Sequence, residues 1–331
     1  EQAVLYKDKR KREELKNYRP ITMLNSCYKV LATVMSLRTE KILDDLIDPD
    51  QTGFMSGRYI CDNIRLLMDT LHYCNAEQIK GAIIMLDLEK AYDRVDHEWV
   101  FKSLREHNFG ENFIGWVKLM YHAARKKIIC NGYLTDWVAV ESGVPQGCPF
   151  SCYIFILSIE PFHAYVRQNT ACQGIELPGG VTAKTSGFAD DTALYVASAE
   201  ALAAYKEALE LYCSASGAKL NWNKCVGVAM GGKNKPDTAQ WNAISELKWM
   251  KNTEIERYLG AYLGSTDLVV QQWDKLKEKI ENRAKRWHKH HVSILARIIV
   301  SKSSLASCMW YMSQCMVTPP GVNEKIQKII N

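Results

Sequence analysis

A short apolar run, Gly81 to Leu86 (GAIIML), ends directly on an acid, Asp87. A second apolar stretch, Lys184 to Ala197, is interrupted at its middle by Phe188-Ala189-Asp190-Asp191. Runs of this kind fit buried strands, and the second fits two strands around a tight turn. Buried strands do not normally end on uncompensated carboxylates, because a buried charge is costly. Two such strands side by side would bring Asp87 and Asp190 together. Their repulsion then raises a pKa or demands a cation. A divalent metal resolves the conflict, and Mg²⁺ prefers a few carboxylates plus substrate phosphates. Two acids at a hairpin tip are also ordinary turn chemistry, so a plain turn stays open as the other reading.

The rest of the pattern is mixed. Tyr28 to Ile47 predicts one long helix with Leu31, Val34, Met35, Ile42, Leu43 and Leu46 as its apolar stripe. Asp96 is placed to cap a helix running to about His107. Asn131-Gly132, between two short strands in Lys126 to Val140, is a strong hairpin signal. Ser151 to Gln168 and Glu200 to Ser216 predict helices, the second stopped by Gly217. Beyond about residue 266 the pattern is helical only. Helices with interspersed hairpins indicate an α+β fold with an antiparallel sheet.

Composition narrows the class. At 331 residues, 47% hydrophobic and 24% charged, the chain can build a large core without staples. Its eleven cysteines contain no C-x-x-C pair, which points to reduced thiols, as in nucleus or cytoplasm. No apolar run reaches about 18 residues, so no membrane span is expected. The net charge of +5 hides an uneven spread: residues 271–302 hold nine Lys/Arg against three acids. That stretch also carries Trp273 and Trp287, with Trp310 just beyond it, and predicts a helical module packed on one face and basic on the other. Lys7, Lys9, Arg10, Lys11 and Arg12 form a second basic cluster. His288, His290 and His291 fall on the basic helical stretch, where phosphate or solvent suits them better than a metal.

Seven segments, in order, resemble the reverse transcriptase domain of LINE-type (non-LTR) retrotransposons, with a weaker similarity to group II intron enzymes. They are residues 17–29 (NYRPITMLNSCYK), 50–58 (DQTGFMSGR, followed by Asp62-Asn63-Ile64), 87–93 (DLEKAYD), 143–149 (GVPQGCP), 188–191 (FADD), 217–224 (GAKLNWNK) and 258–264 (YLGAYLG). The third, fourth and fifth look like polymerase motifs A, B and C, and Trp273 to Tyr311 looks like a thumb. The resemblance implies a right-hand polymerase: fingers over 1–80, palm over 81–265 with some fingers elements, and a basic helical thumb over 266–331. It implies RNA-directed DNA synthesis on an RNA template and DNA primer from dNTPs, with two Mg²⁺ ions, for which Mn²⁺ can substitute. The first residue is Glu1 and the last, Asn331, lies in a helical pattern. The resemblance therefore implies a piece of a longer retroelement protein working as a ribonucleoprotein in nucleus and cytoplasm.

Carried over by position, the resemblance implies Asp87 and Asp190 as metal-binding acids, with Asp191 supporting them and the Leu88 backbone carbonyl within reach of a metal. Lys224 would act near the leaving pyrophosphate. Tyr92 would lie under the incoming sugar, where its ring would clash with a 2′-hydroxyl. Gln146, Arg19, Lys29 and Arg58 would contact the nucleotide, arginine being suited to bidentate phosphate binding. Gly143, Pro145 and Gly147 would let the loop approach the templating base pair, and Tyr258, Leu259 and Gly260 would support the primer end. After motif B the chain departs from the family, with Phe150, Ser151 and Cys152 where Leu and Ser-Pro are usual. The alternatives are a catalytically silent, maturase-like RNA-binding module, which has no chemical need for all three acids, and a decayed copy of such an element.

Overall fold

The computed structural model describes residues 1–6, 13–14, 17–241, 243–251, 253–264, 266–290 and 293–330, leaving out the side chains of 266–269. The Lys7–Arg12 basic cluster and His291 lie outside the described residues.

The strand Gly81–Leu86 forms as predicted, and all six residues are buried. It is the middle of a five-stranded sheet, in the order Thr185–Phe188, Asp191–Val196, Gly81–Leu86, Val226–Met230, Lys248–Trp249. The first three pairings are antiparallel and the last is parallel. Alternation along the middle strand feeds two cores. Ala82, Ile84 and Leu86 pack with Val100, Leu104, Phe155 and Leu202 from the helices His97–Glu106, Ser151–Gln168 and Ala199–Ser216. Ile83 and Met85 face the other way, onto Ile64 and Leu67 of Ile60–Ala76 and onto Trp273 and Ile280 of Thr266–His288. A strand covered on both faces needs no polar alternation, which is why its sequence is a continuous apolar run.

The other predicted elements sharpen. Asp96 caps its helix by accepting a hydrogen bond from the Trp99 N–H at 3.0 Å. Gly217, at φ +73°, ends Ala199–Ser216 in the left-handed conformation open to glycine. Asn131-Gly132 is the two-residue turn of a hairpin between Ile128–Cys130 and Tyr133–Leu134, with φ of +51° and +87°. That hairpin joins a second sheet, ordered Tyr18–Thr22, Gln2–Tyr6, Ile128–Cys130, Tyr133–Leu134.

The single helix expected over Tyr28 to Ile47 is instead two, Ser26–Glu40 and Leu43–Leu46. The buried face of the first is Ala32, Met35 and Thr39, while Val34 and Ile42 stay exposed. The chain turns at Lys41-Ile42 so that Leu43 and Ile47 can enter the core. Beyond residue 266 the described elements are all helical, as predicted. Trp273 is fully buried and Trp287 donates its indole N–H to Ser304 Oγ at 3.2 Å, but Trp310 is exposed, so only part of the expected packing face is covered. Among the described residues no helix is long and apolar enough to cross a membrane.

Candidate active site

Asp87 leaves the middle strand one residue after Leu86, and Leu86 pairs with Thr192 of the neighbouring strand. The same register therefore brings Asp87 to the Asp190-Asp191 turn. Burial first, then the charges of Asp190 and Asp87, push the Asp191 carboxyl up to about 6. Burial and the Asp87 charge also raise Asp190, against a lowering pull from Arg19. Lys224, on a short turn at Trp222–Lys224, reaches Asp87 Oδ2 at 3.1 Å. It brings a cation against the acids from the chain itself. The Asp87 backbone is fixed on both sides: its carbonyl accepts from the Asn221 N–H at 2.8 Å, and its N–H points at Cys225 Sγ at 3.4 Å. Leu88 continues this contact through an isolated bridge to Leu220.

The acidic hairpin is held from behind by a segment that the sequence offered only as a resemblance block. Gln51 is fully buried. Its Oε1 accepts the N–H groups of Ala189 and Gly53, both at 2.9 Å, and its Nε2 donates to the Ala189 carbonyl at 3.4 Å. Thr52 N–H donates to the Gly187 carbonyl at 2.8 Å, Gly187 N–H to the Asp50 carbonyl at 2.8 Å, and Asn63 Nδ2 to the Gly187 carbonyl at 2.7 Å. These bonds satisfy the backbone of a turn in which Ala189 sits at φ +57°. A Gln two residues before a Gly was the available signal, but nothing in its spacing points to a partner so far along the chain.

Beneath this cradle Arg167 pairs with Asp48 at 3.4 Å, with Asp50 at 3.0 Å and with Glu160. Burial pushes Asp50 up to about 6 and Glu160 up to about 7, against the lowering effect of Arg167. A carboxyl with a raised folded pKa holds its proton more tightly when folded. Its contribution to stability is therefore largest at low pH and falls as pH rises through the folded value. We expect Glu160→Gln to flatten the pH dependence of thermal unfolding between pH 4.5 and about 7. Unchanged slopes in the two proteins would remove Glu160 as the cause.

The Gly143–Pro149 loop is clipped to the motif A segment. Val144 N–H donates to the Tyr92 carbonyl at 2.7 Å and Gly143 N–H to the Val95 carbonyl at 2.8 Å. A Cβ on Gly143, at φ +83°, would stand 2.6 Å from the Asp93 carbonyl oxygen. One on Gly147, at φ +106°, would stand 3.0 Å from the Thr22 carbonyl oxygen. Both glycines thus answer to a close approach of this chain's own backbone, rather than only to a base pair as expected. The Gln146 carbonyl accepts from the Thr22 N–H at 2.9 Å, and the Pro145 carbonyl from the Cys148 N–H at 3.2 Å. Phe150 is fully buried against Phe113, so the departure from Leu there fills the core.

Tyr92 stacks on Phe155 with ring centroids 4.6 Å apart. Burial, with Cys152 and Asp190 nearby, pushes its phenol well above the ordinary value. Arg19 is exposed on its strand and within electrostatic range of Asp190, and Lys29 is exposed on Ser26–Glu40. Arg58, expected at the nucleotide, is engaged by its own loop. Its guanidinium donates to the carbonyls of Ile47 and Gln51 at 3.0 and 2.8 Å, to that of Asp48, and to Asp44 Oδ1 at 3.1 Å. It holds the cradle loop together. Tyr258 is buried, and Leu259-Gly260, at φ +48° and +94°, make a two-residue turn between Glu256–Tyr258 and Ala261–Leu263. Tyr311 of the helix Ser307–Cys315 donates its hydroxyl to the Leu259 carbonyl, tying this turn to the thumb-like helices.

Among the described residues no three His, Cys, Asp or Glu side chains converge into a ready cage for an ion. The donor set suits a hard cation that takes one or two carboxylates and completes its shell with phosphate and water. Two acids raised first by burial and then by the neighbouring Asp87 charge are the chemistry such a cation relieves.

Residues 7–263 match the family described as reverse transcriptase (RNA-dependent DNA polymerase). The chain is 34% identical over 317 residues to the transposon TX1 uncharacterized 149 kDa protein of Xenopus laevis, covering 95% of this chain and 24% of that protein. It is 24% identical over 259 residues to the retrovirus-related Pol polyprotein from the type-2 retrotransposable element R2DM of Drosophila melanogaster, covering 76% and 24%. It thus spans about a quarter of the length of these relatives. Among solved structures, telomerase from Candida albicans, in complex with a TWJ fragment of telomeric RNA, aligns over 91% of this chain and 54% of its own at a TM-score of 0.51 and 12% identity. That likeness is one of fold.

Proposed function

Because this chain belongs to the reverse transcriptase (RNA-dependent DNA polymerase) family, we propose that it is the polymerase core of a non-LTR retrotransposon protein and extends DNA primers on RNA templates. The observation that carries this reading is the placing of Asp87 next to the Asp190-Asp191 turn by adjacent strands, within electrostatic range of each other and with Lys224 paired to Asp87. We assign fingers to residues 1–80, palm to 81–265 and thumb to 266–331.

Asp87 and Asp190 would hold the divalent ions, Mg²⁺ by preference, with Asp191 adding negative charge and the Leu88 carbonyl as a further oxygen donor. When bound, such ions lower the pKa of the primer 3′-hydroxyl and stabilise charge on the leaving pyrophosphate. Lys224 and Arg19 offer cations to the triphosphate around that charge. Lys29 and Gln146 are further nucleotide contacts from the fingers side, and the Tyr258–Gly260 turn seats the primer end. The test is primer extension on poly(rA)/oligo(dT) with Mg²⁺ or Mn²⁺. Binding of the hybrid with no extension under either ion would favour the silent RNA-binding module instead.

Tyr92 is the sugar discriminator in this reading, its ring braced by Phe155 against a 2′-hydroxyl. Tyr92→Ala is expected to raise the ratio of ribonucleotide to deoxynucleotide incorporation by roughly tenfold or more. The ratio is internal to each reaction, so partial unfolding of the variant does not affect it. An unchanged ratio would remove Tyr92 from this role.

A further inference from the structure

The hairpin region between motifs A and B carries a surface that the polymerase chemistry does not use. Arg125, Lys126 and Lys127 are consecutive cations leading into the strand Ile128–Cys130. Lys127 Nζ lies 5.2 Å and the Arg125 guanidinium 5.8 Å from the Trp137 ring centroid. Trp137 nevertheless stays 61% exposed, and Tyr133, on the edge strand Tyr133–Leu134, is 81% exposed. Large rings are normally buried or spent on packing. Here Trp137 is left to solvent beside two cations and Tyr133 is left to solvent on the nearby edge strand, with Asp136 and Glu141 as the acids of the stretch.

We infer that this hairpin is a docking platform for single-stranded RNA, in which bases stack on Trp137 and Tyr133 while Arg125 and Lys127 meet the phosphates. An aromatic face accepts any unpaired base, and a base inside a duplex cannot reach it. The cations supply the sequence-independent attraction to phosphate. The position fits the strand being copied. The hairpin belongs to the sheet whose opposite edge, Tyr18–Thr22, is tied to the Gly143–Pro149 loop by the Thr22 N–H donating to the Gln146 carbonyl at 2.9 Å, and that loop is clipped to Tyr92 by the Val144 N–H at 2.7 Å. Three strand spacings, about 14 Å, separate the two edges. A template stretched across this sheet would pass from the aromatic edge toward the acids still unpaired. The identification of the strand as template RNA rests on the polymerase reading above.

The experiment is fluorescence anisotropy with the 331-residue chain, without metal or nucleotides. One probe is a blunt RNA/DNA hybrid. The other is the same hybrid with an RNA 5′ overhang of about eight uridines. Trp137→Ala is expected to weaken binding of the overhang probe by about tenfold, and of the blunt probe by less than about twofold. Trp137→Phe should retain most of the affinity, and Lys127→Gln should lower the steepness of the salt dependence by about one. Tyr133→Ala is the second variant should Trp137→Ala lower the melting temperature. Equal losses on both probes, or no loss on the overhang probe, would overturn the inference; the second result is also what a protein-docking surface would give. Absence of primer extension by the wild-type chain would instead count against the polymerase reading and leave this comparison intact.

Discussion

Asp190→Asn is expected to abolish primer extension, by roughly a thousandfold or more, and to leave binding of an RNA/DNA hybrid in place. Asparagine keeps the shape of the side chain and removes one negative charge. Burial and the Asp87 charge already raise the Asp190 carboxyl, so its ionised form is held at a cost to the fold. Removing that charge should leave the variant at least as stable as the wild type in thermal unfolding. The combination of a lost reaction with an unchanged or raised melting temperature separates a chemical role from a structural one. Wild-type extension by the variant would sink the assignment of the acids. Asp87→Asn should behave alike in extension, with the added effect of releasing Lys224 from its 3.1 Å contact.

Gly53→Ala has the second largest expected effect, although residue 53 is not one of the acids. A Cβ there would fall inside contact distance of the Ala189 nitrogen and 2.8 Å from the Phe188 carbonyl carbon. Both neighbours are backbone atoms and cannot swing aside, so the acidic turn itself must shift. Overpacking of this kind costs about 1–3 kcal/mol, measurable by denaturant unfolding. A displacement of about 1 Å in reacting groups costs on the order of a hundredfold in rate. Primer extension corrected for the folded fraction is therefore expected to fall by about that factor. A corrected rate equal to wild type would show that the cradle does not set the position of Asp190.

Much of this architecture was legible in the sequence because its strongest signals are local. Gly81–Leu86 is apolar throughout since both faces are covered, and Asn131-Gly132 and Gly217 adopt the positive φ angles that their residue types favour. The adjacency of the Asp87 and Asp190 strands is only a condition as far as the two apolar runs go, and the resemblance of the two segments to polymerase motifs A and C is what implies it. What stayed hidden was set by distant backbone. Gly143 and Gly147 are small because Asp93 and Thr22 lie against them, and Arg58 serves main-chain carbonyls of its own loop. Gln51 is an ordinary polar residue until the Ala189 N–H arrives to donate to its side-chain oxygen. The break at Lys41-Ile42 likewise answers to the burial of Leu43 and Ile47, which periodicity alone does not reveal.

The middle strand of the large sheet has a consequence for how the protein is made. Both of its neighbours, Asp191–Val196 and Val226–Met230, are synthesised long after it, and Lys224 lies 137 residues downstream of Asp87. At roughly 5–20 residues per second, a ribosome needs on the order of ten seconds to supply them. Until Asp191–Val196 has been made, Gly81–Leu86 is an apolar segment with no partner on either edge. Pairings this remote slow folding and leave the nascent chain open to aggregation or chaperone capture. The acids can therefore meet only once Asp191–Val196 has been translated, and a polypeptide cut short before Val226 would carry every acid of the site on a middle strand with its other edge still unpaired.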